Sequence, residues 1–322
     1  MKVVQIVSPG GTEVLKIVER EVPKIKATEV LIQVVAAGLN RADIAQRKGN
    51  YPAPQGAVQD VLGLEVSGKI IAVGEEVKNF QLGDEVCALL AGGGYAEYVA
   101  VDAGSCLPVP RNIPLPDASA LPEVLFTVWS NVFQRGKLQK GEKVLFYGAS
   151  GGIGSMGIQL AKQYGAHPIA VVSTEEKAMY CLSLGAEKVI YYHKENLLDV
   201  LGKESVDVIL DPVGGIYFEQ NIELLKREGR LLYNNAMQGG KVNLNIFKIM
   251  QKCLYLSGST LRSRSVGFKA ALAQEVLEKA YPLIESPAFK NMVRHRFAVE
   301  NVVQAHKLMD SRDFFGKIIL EF

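Results

Sequence analysis

The stretch Leu145–Ala161, LFYGASGGIGSMGIQLA, limits this chain more than any other. Lys143–Tyr147, which leads into it, reads as a short buried strand. After the glycines, Ile153, Met156, Gly157, Leu160, Ala161 and Tyr164 fall at i, i+3, i+4, i+7, i+8 and i+11, one face of a helix. A strand that runs through a glycine turn into a helix offers free N–H groups and the positive end of a helix dipole, with no side chain to hold a phosphate away. Three motifs share these letters. Gly148-x-Ser150-x-Gly152 is a nucleophile elbow. Gly148-x-x-x-Gly152-x-Gly154 is the short-chain dehydrogenase pattern. Gly148-x-x-Gly151-x-x-Gly154, with Ala149 at the first position of G-x-G-x-x-G, is a dinucleotide loop.

The short-chain pattern needs Tyr-x-x-x-Lys, and none of the twelve tyrosines has lysine four residues on. The elbow needs an acid and then a histidine downstream, which His295 or His306 could supply. It leaves the next strand–helix turn unexplained. A dinucleotide loop predicts a ribose-reading residue about 20 positions on. There the second strand ends at Val172, followed by Ser173-Thr174-Glu175-Glu176-Lys177. Ser173 reads as an N-cap with Glu176 completing a capping box. Lys177 places a cation in a first helical turn, against the dipole, which a 2′-phosphate would offset. No acid stands at the strand tip to hold a 2′-hydroxyl. Against the neighbouring Glu175 and Glu176, the balance favours NADPH over NADH.

The remaining chain is organised around this segment. MKVVQIV, EVLKIVEREV, EVLIQVVAAG, EVSGKIIAVG and EYVAV are short β-branched runs divided by Gly, Pro and Asp, as in antiparallel structure. A helical segment Asp117–Arg135 follows, then apolar strands alternating with helices, the mark of a parallel sheet covered on both faces. The helix Val266–Leu283, another helix and a final strand close the chain. These changes predict a β-rich domain of residues 1–122 and 266–322 holding an inserted α/β domain of residues 123–265. With 36 basic and 34 acidic side chains the net charge is +2, no footprint for nucleic acid. Cys87, Cys106, Cys181 and Cys253 lack any C-x-x-C spacing and read as reduced thiols. No run reaches the length of a membrane span or a signal segment, so the expected protein is soluble and cytoplasmic.

AAGLNRADIAQRKGNYP, GLEVSG, GGYAEYV, FTVWSNVF, GASGGIG, DPVGG, GSTLRSRS and AHKLMDSRDFFGKIIL, in this order along nearly the whole chain, resemble the medium-chain dehydrogenase/reductase superfamily. Within it the chain is similar to the zinc-lacking quinone oxidoreductase, zeta-crystallin-like branch, nearest the p53-inducible NAD(P)H quinone oxidoreductase type. The resemblance implies a GroES-like β-rich domain with an inserted doubly wound parallel-sheet (Rossmann) domain, which explains the midway position of the glycine loop. Zinc members carry cysteine in G-x-C-x-x-D and histidine in G-H-E. Here those segments are Gly38-Leu39-Asn40-Arg41-Ala42-Asp43 and Gly63-Leu64-Glu65. Asn40 and Leu64 are not zinc ligands, and no metal is expected. Without a Lewis acid the acceptor must itself be electrophilic, a quinone or an enone.

The resemblance implies Asn40 and Tyr51 as hydrogen-bond donors to the acceptor oxygen, with Asn40 also near the cofactor. Their plainer readings are a turn residue and a rim aromatic. Arg41 and Asp43 read as structural or solvated, and Glu65 as a partnered polar residue. Expected cofactor contacts are Thr127, Ser150, Gly151, Gly152, Ile153, Ser173, Lys177 and Tyr192, the last beside a 2′-phosphate. Asn235, Met237 and Gly239 follow a parallel strand at its C-terminal edge, and Leu261 and Arg262 follow the last strand. Phe315 and Lys317 precede the final strand. Arg262 otherwise reads as solvated beside Arg264, and Lys317 as a phosphate ligand or an exposed residue. Val213 and Gly214 border the cofactor or merely end a strand. The expected activity is NADPH-dependent quinone reduction without metal or flavin. Reduction of an activated C=C bond, or a non-catalytic structural or RNA-binding role, stay open. The apolar strand in KCLYLSGS would leave an unprotected sheet edge, so a homodimer paired through it is expected.

Overall fold

The run KVLFY forms the strand Lys143–Tyr147, whose Val144, Leu145 and Phe146 are wholly buried. Apolar residues on both faces suit only a strand covered from both sides. A computed structural model describes residues 1–322, and the chain divides into two compact units. The first is Met1–Phe126, Leu261–Glu285 and Asn291–Phe322. The second is Thr127–Thr260 with Ser286–Lys290.

The second unit is built on six parallel strands. Their order is Lys188–Tyr191, His167–Val172, Lys143–Tyr147, Val206–Asp211, Leu225–Tyr233 and Tyr255–Gly258. The chain winds outward one way from Lys143–Tyr147 and then the other way from Val206–Asp211, the doubly wound arrangement with its switch point between those two strands. Leu145, Ile169, Ile190, Ile209 and Leu231 form the core beneath the helices. The helix Gly152–Tyr164 buries Met156, Gly157, Leu160 and Ala161 of the predicted face, leaves Ile153 and Tyr164 half-buried, and ends on Gly165 at φ 90°.

In the first unit Glu29–Gly38 is the central strand, pairing antiparallel with Glu65–Val73, Tyr98–Asp102 and Lys317–Glu321. Glu85–Leu89 and Cys106–Pro108 extend the sheet on one side and Val293–Ala298 on the other. Tyr98–Asp102 buries Val99 and Val101 and turns its other residues outward, the alternation of a half-buried antiparallel strand.

Three expected elements are differently cut. The helical segment Asp117–Arg135 is a turn Leu115–Ala118, a helix Pro122–Val128 and a π-helical continuation Trp129–Arg135. Pro122 disfavours helical backbone in the residue before it. The helix Val266–Leu283 stops at Lys279 and a separate turn Tyr281–Ile284 carries Pro282, which has no N–H to continue the ladder. In KCLYLSGS only Tyr255–Gly258 is strand. Cys253 at φ 51° ends the helix Ile246–Lys252, and the Leu254 N–H bonds to Ile249 O at 3.1 Å. All four cysteines are free, three of them buried. No helix is long and apolar enough to cross a membrane.

Candidate active site

On the second unit the predicted cofactor residues collect along the C-terminal edge of the parallel sheet. Gly148 turns at φ 61° and Gly151 caps the helix Gly152–Tyr164 without any side-chain cap. The first-turn N–H groups therefore have no side-chain acceptor and face the turn. A Cβ built on Gly151 would meet only Gly148 O, at 3.4 Å. The space is empty because the residue is glycine, and a pyrophosphate fits both that gap and the donor set. Ser150, Gly152 and Ile153 lie in the same loop and first turn. The next strand tip gathers Ser173, Lys177 and Tyr192. Lys177 Nζ is 3.4 Å from Ser173 Oγ, and the Tyr192 N–H bonds to Val172 O at 3.2 Å. The helix cap is Thr174, accepting from the Lys177 N–H, not Ser173 as expected. Ser173 keeps its hydroxyl on the side of Lys177.

Asn235, Met237 and Gly239 occupy the exposed loop after Leu225–Tyr233. That loop rests on the DPVGG turn through Gln238 N–H to Val213 O at 2.7 Å and Gly215 N–H to Gly239 O at 2.9 Å. Asp211 holds the turn by accepting from the N–H groups of Val213 and Gly214. Thr127 is buried in its helix, and its carbonyl accepts from Asn131 Nδ2.

The first unit assembles a polar cluster from distant parts of the chain. Glu65 starts the strand Glu65–Val73 and is 0 % exposed. Gly38 makes room for it, since a Cβ there would lie 2.2 Å from Glu65 Oε1. Lys317 Nζ donates to Leu39 O at 2.9 Å, Asn40 Oδ1 at 2.8 Å and Glu65 Oε1 at 2.5 Å. Asn40 Nδ2 donates to Glu65 Oε1 at 2.8 Å. The amide is thereby held in one orientation, oxygen on the ammonium and nitrogen on the carboxylate. Asp43 secures the backbone beneath, accepting from Asn40 N–H, Gly63 N–H and the Tyr95 hydroxyl. Burial pushes the Asp43 carboxyl up to about 6, against those hydrogen bonds. Of the two readings of Asp43, structural or solvated, the solvated one is excluded by its burial.

Tyr51 lies beyond the helix Arg41–Arg47 with the Arg262 guanidinium 5.3 Å above its ring. Two expectations fail here. Lys317 is 3 % exposed and all three ammonium protons are taken, so it neither faces solvent nor has a proton left for a phosphate. Arg262 is not a solvated partner of Arg264. It is 6 % exposed and donates to Ala91 O, Tyr51 O and Gln46 Oε1. Leu261, Arg262, Phe315 and Lys317 belong to the first unit.

Sequence reasoning missed Glu123, which sits in the first turn of Pro122–Val128 with its N–H bonded to Glu65 Oε2 at 2.8 Å. An acid in a first helical turn is usual, so nothing local marked it. Lys269, buried in the helix Val266–Lys279 with Nζ 3.1 Å from Arg262 O, was missed too. Burial lowers the Lys269 ammonium, opposed by the charge of Glu123. No three His, Cys, Asp or Glu side chains gather into a metal-holding group.

Residues 152–278 match the zinc-binding dehydrogenase family, and residues 26–111 match the alcohol dehydrogenase GroES-like domain. The chain is 32% identical over 326 residues to an NADPH-dependent alkenal/one oxidoreductase, chloroplastic, of Arabidopsis thaliana, covering 97% of this chain and 77% of that protein. It is 29% identical to a quinone oxidoreductase of Rattus norvegicus, covering 99% of this chain and 97% of the other. Among solved structures, Escherichia coli quinone oxidoreductase complexed with NADPH matches with a TM-score of 0.88 at 28% identity, over 100% of both chains.

Proposed function

The chain belongs to the medium-chain dehydrogenase/reductase family, and from that premise we propose that it reduces quinones with NADPH, using neither metal nor flavin. When bound, the reduced nicotinamide supplies a hydride. The chain's own part is to hold the acceptor and stabilise the charge that appears on its oxygen. The observation that carries this reading is the fixed amide of Asn40. Its oxygen is bound by Lys317 and one N–H by Glu65, which leaves the second N–H as an oriented donor. One such donor lowers the barrier by about 3–4 kcal/mol when it is aimed at developing negative charge. Tyr51 is the second donor of this reading. Burial raises its phenol, with the Arg262 charge acting against that, so the hydroxyl keeps its proton. A second reading, reduction of an enone, is favoured by the likeness to the Arabidopsis thaliana protein. A panel of quinones, enals and enoyl thioesters, scored by loss of NADPH absorbance, decides between them. An enoyl thioester exceeding every quinone by orders of magnitude in kcat/KM would overturn the first reading.

The cofactor preference rests on Lys177, Ser173 and Tyr192 at one strand tip. Lys177→Ala is expected to weaken NADPH about tenfold to a hundredfold, the 1.5–3 kcal/mol of a charge-assisted hydrogen bond, and to leave NADH unchanged. Fluorescence titration of both cofactors measures it. Equal losses for the two would remove Lys177 from 2′-phosphate recognition.

The dimer expected from the edge strand is likewise a proposal. Tyr255 and Leu256 on the strand are exposed apolar residues, as are Ile246, Phe247 and Met250 on the preceding helix, Phe247 being 74 % exposed. Ser259 N–H turns inward to Tyr233 O, so by the alternation of a strand the Leu256 N–H points outward. Leu256→Pro removes that outward donor and leaves the inner ladder whole. Leu254→Pro would instead break the helix cap. Light scattering should give a dimer mass for the wild type and a monomer mass for Leu256→Pro; a monomeric wild type at micromolar concentration ends the proposal.

A further inference from the structure

We propose that Glu123 is the acid that protonates the acceptor's oxygen, a step that deepens the reduction proposed above and rests on it. Three observations of the first unit lead there. The Glu123 carboxyl is partly buried and makes no hydrogen bond or ion pair, although its own N–H is fastened to Glu65 Oε2 at 2.8 Å. A carboxyl in that position ordinarily finds a partner or holds a proton.

The charged neighbours are already engaged. Lys317 has all its protons on Leu39, Asn40 and Glu65, and Lys269 donates to Arg262 O. Glu65 and Asp43 add negative charge on the same side. Burial first, then the charge of Glu65, with that of Asp43 adding, push the Glu123 carboxyl up to about 7, while Lys317 and Lys269 oppose them. An acid whose ionisation lies near the working pH is the best placed to give and retake a proton.

The location also fits. Glu123 is tied through Glu65 to the amide of Asn40. Its charge is also felt at the Tyr51 hydroxyl and the Arg262 guanidinium. The Tyr51 hydroxyl is thus within reach of its charge, and the Asn40 amide shares the Glu65 carboxylate with its backbone N–H.

A bound NADPH would supply a hydride, two electrons and one proton, leaving the acceptor's oxygen anionic. The Glu123 O–H bond breaks, the proton bonds to that oxygen, and the electron pair stays on the carboxylate. Water then returns a proton to Glu123. Acceptor, NADPH and one proton become reduced acceptor and NADP⁺.

The test uses the whole protein with Glu123→Gln and Glu123→Asp, between pH 6 and pH 9. Wild-type kcat/KM should be level below about pH 7 and fall tenfold per pH unit above it, following the carboxyl. Glu123→Gln should be slower by about a hundredfold or more at pH 6, the scale of general acid catalysis. Its profile should be flat, approaching wild type at pH 9. Glu123→Asp should restore a pH-dependent rate, and NADPH affinity should be the same in all three.

Infrared spectroscopy of the protein without cofactor or acceptor gives an independent readout. A protonated-carboxyl band should fade across pH 7 in the wild type and be missing in Glu123→Gln. Folding is controlled by sign. A carboxyl raised in the folded state adds stability at low pH that is lost as pH rises through about 7. Glu123→Gln should therefore melt no lower than wild type at pH 8. A Glu123→Gln enzyme with wild-type rates, or an ionised Glu123 at pH 6, overturns this step alone. A wild type that reduces no acceptor removes the proposed reaction and the step with it.

Discussion

Gly154→Val is expected to leave the second unit without a stable fold, whereas Gly151→Val, three residues earlier, should fold and fail to bind a dinucleotide. The two glycines answer to different constraints. A Cβ on Gly154 would lie 2.4 Å from Ala149 Cα and 2.4 Å from Ala149 O. Those are backbone atoms of a fully buried residue that follows the strand Lys143–Tyr147. Backbone cannot rotate away as a side-chain tip can. Relief requires the helix Gly152–Tyr164 to lift from the sheet along a face that includes Met156, Leu160 and Ala161, all fully buried. Ordinary overpacking costs about 1–3 kcal/mol, and an overlap of this depth exceeds that range, against a domain stability of about 5–15 kcal/mol. Gly151 stands at φ −79°, open to any L-residue, with nothing but Gly148 O near its missing Cβ. The valine fills the phosphate gap instead. Circular dichroism melting should separate the two variants, and NADPH titration of Gly151→Val should show a loss of about a hundredfold or more, roughly 3 kcal/mol. Wild-type melting for Gly154→Val, or wild-type affinity for Gly151→Val, would contradict these assignments.

Lys317→Met should cost about 3–5 kcal/mol of stability, because it leaves the carboxylate of Glu65 buried without its cation. It also frees Asn40 Oδ1 and so releases the amide from its single orientation. The expected kinetic sign is a fall in kcat with little change in the affinity for NADPH. Adding Glu65→Gln to Lys317→Met removes the stranded charge and should recover much of the stability, though not the turnover. Chemical denaturation and steady-state kinetics on the single and double variants test both halves. A large loss of NADPH affinity with unchanged stability would return Lys317 to the phosphate role expected from the sequence.

These two cases mark where reading along the chain works. The glycine loop was legible because its requirements lie within one strand and one helix. Ile153 to Tyr164 keep helical spacing, and Met156, Gly157, Leu160 and Ala161 of that face are buried, although Ser155, Ile158 and Gln159 off it are buried too. Lys177 was legible as a cation against a dipole, though the cap moved from Ser173 to Thr174, a one-residue choice that depends on where the strand ends. Leu254 was misplaced for a related reason. CLYLSGS is apolar enough for a strand throughout, but Cys253 adopts the left-handed turn that closes the preceding helix.

The sequence alone determined the class of fold, the place of the dinucleotide loop and the lack of zinc-ligating residues at Asn40 and Leu64. Those depend on residue type and on spacing over a few turns, which local sterics and periodic burial enforce. The tertiary structure alone decided which partners Asn40, Glu65, Glu123 and Lys317 meet. Lys317 meets Glu65 across 252 positions and Asn40 across 277. Taken singly, each is an ordinary polar residue in a turn, a strand or a helix start. A lysine becomes a buried counter-ion, and burial pushes a glutamate's carboxyl upward, only when folding removes water and fixes which charges remain within reach.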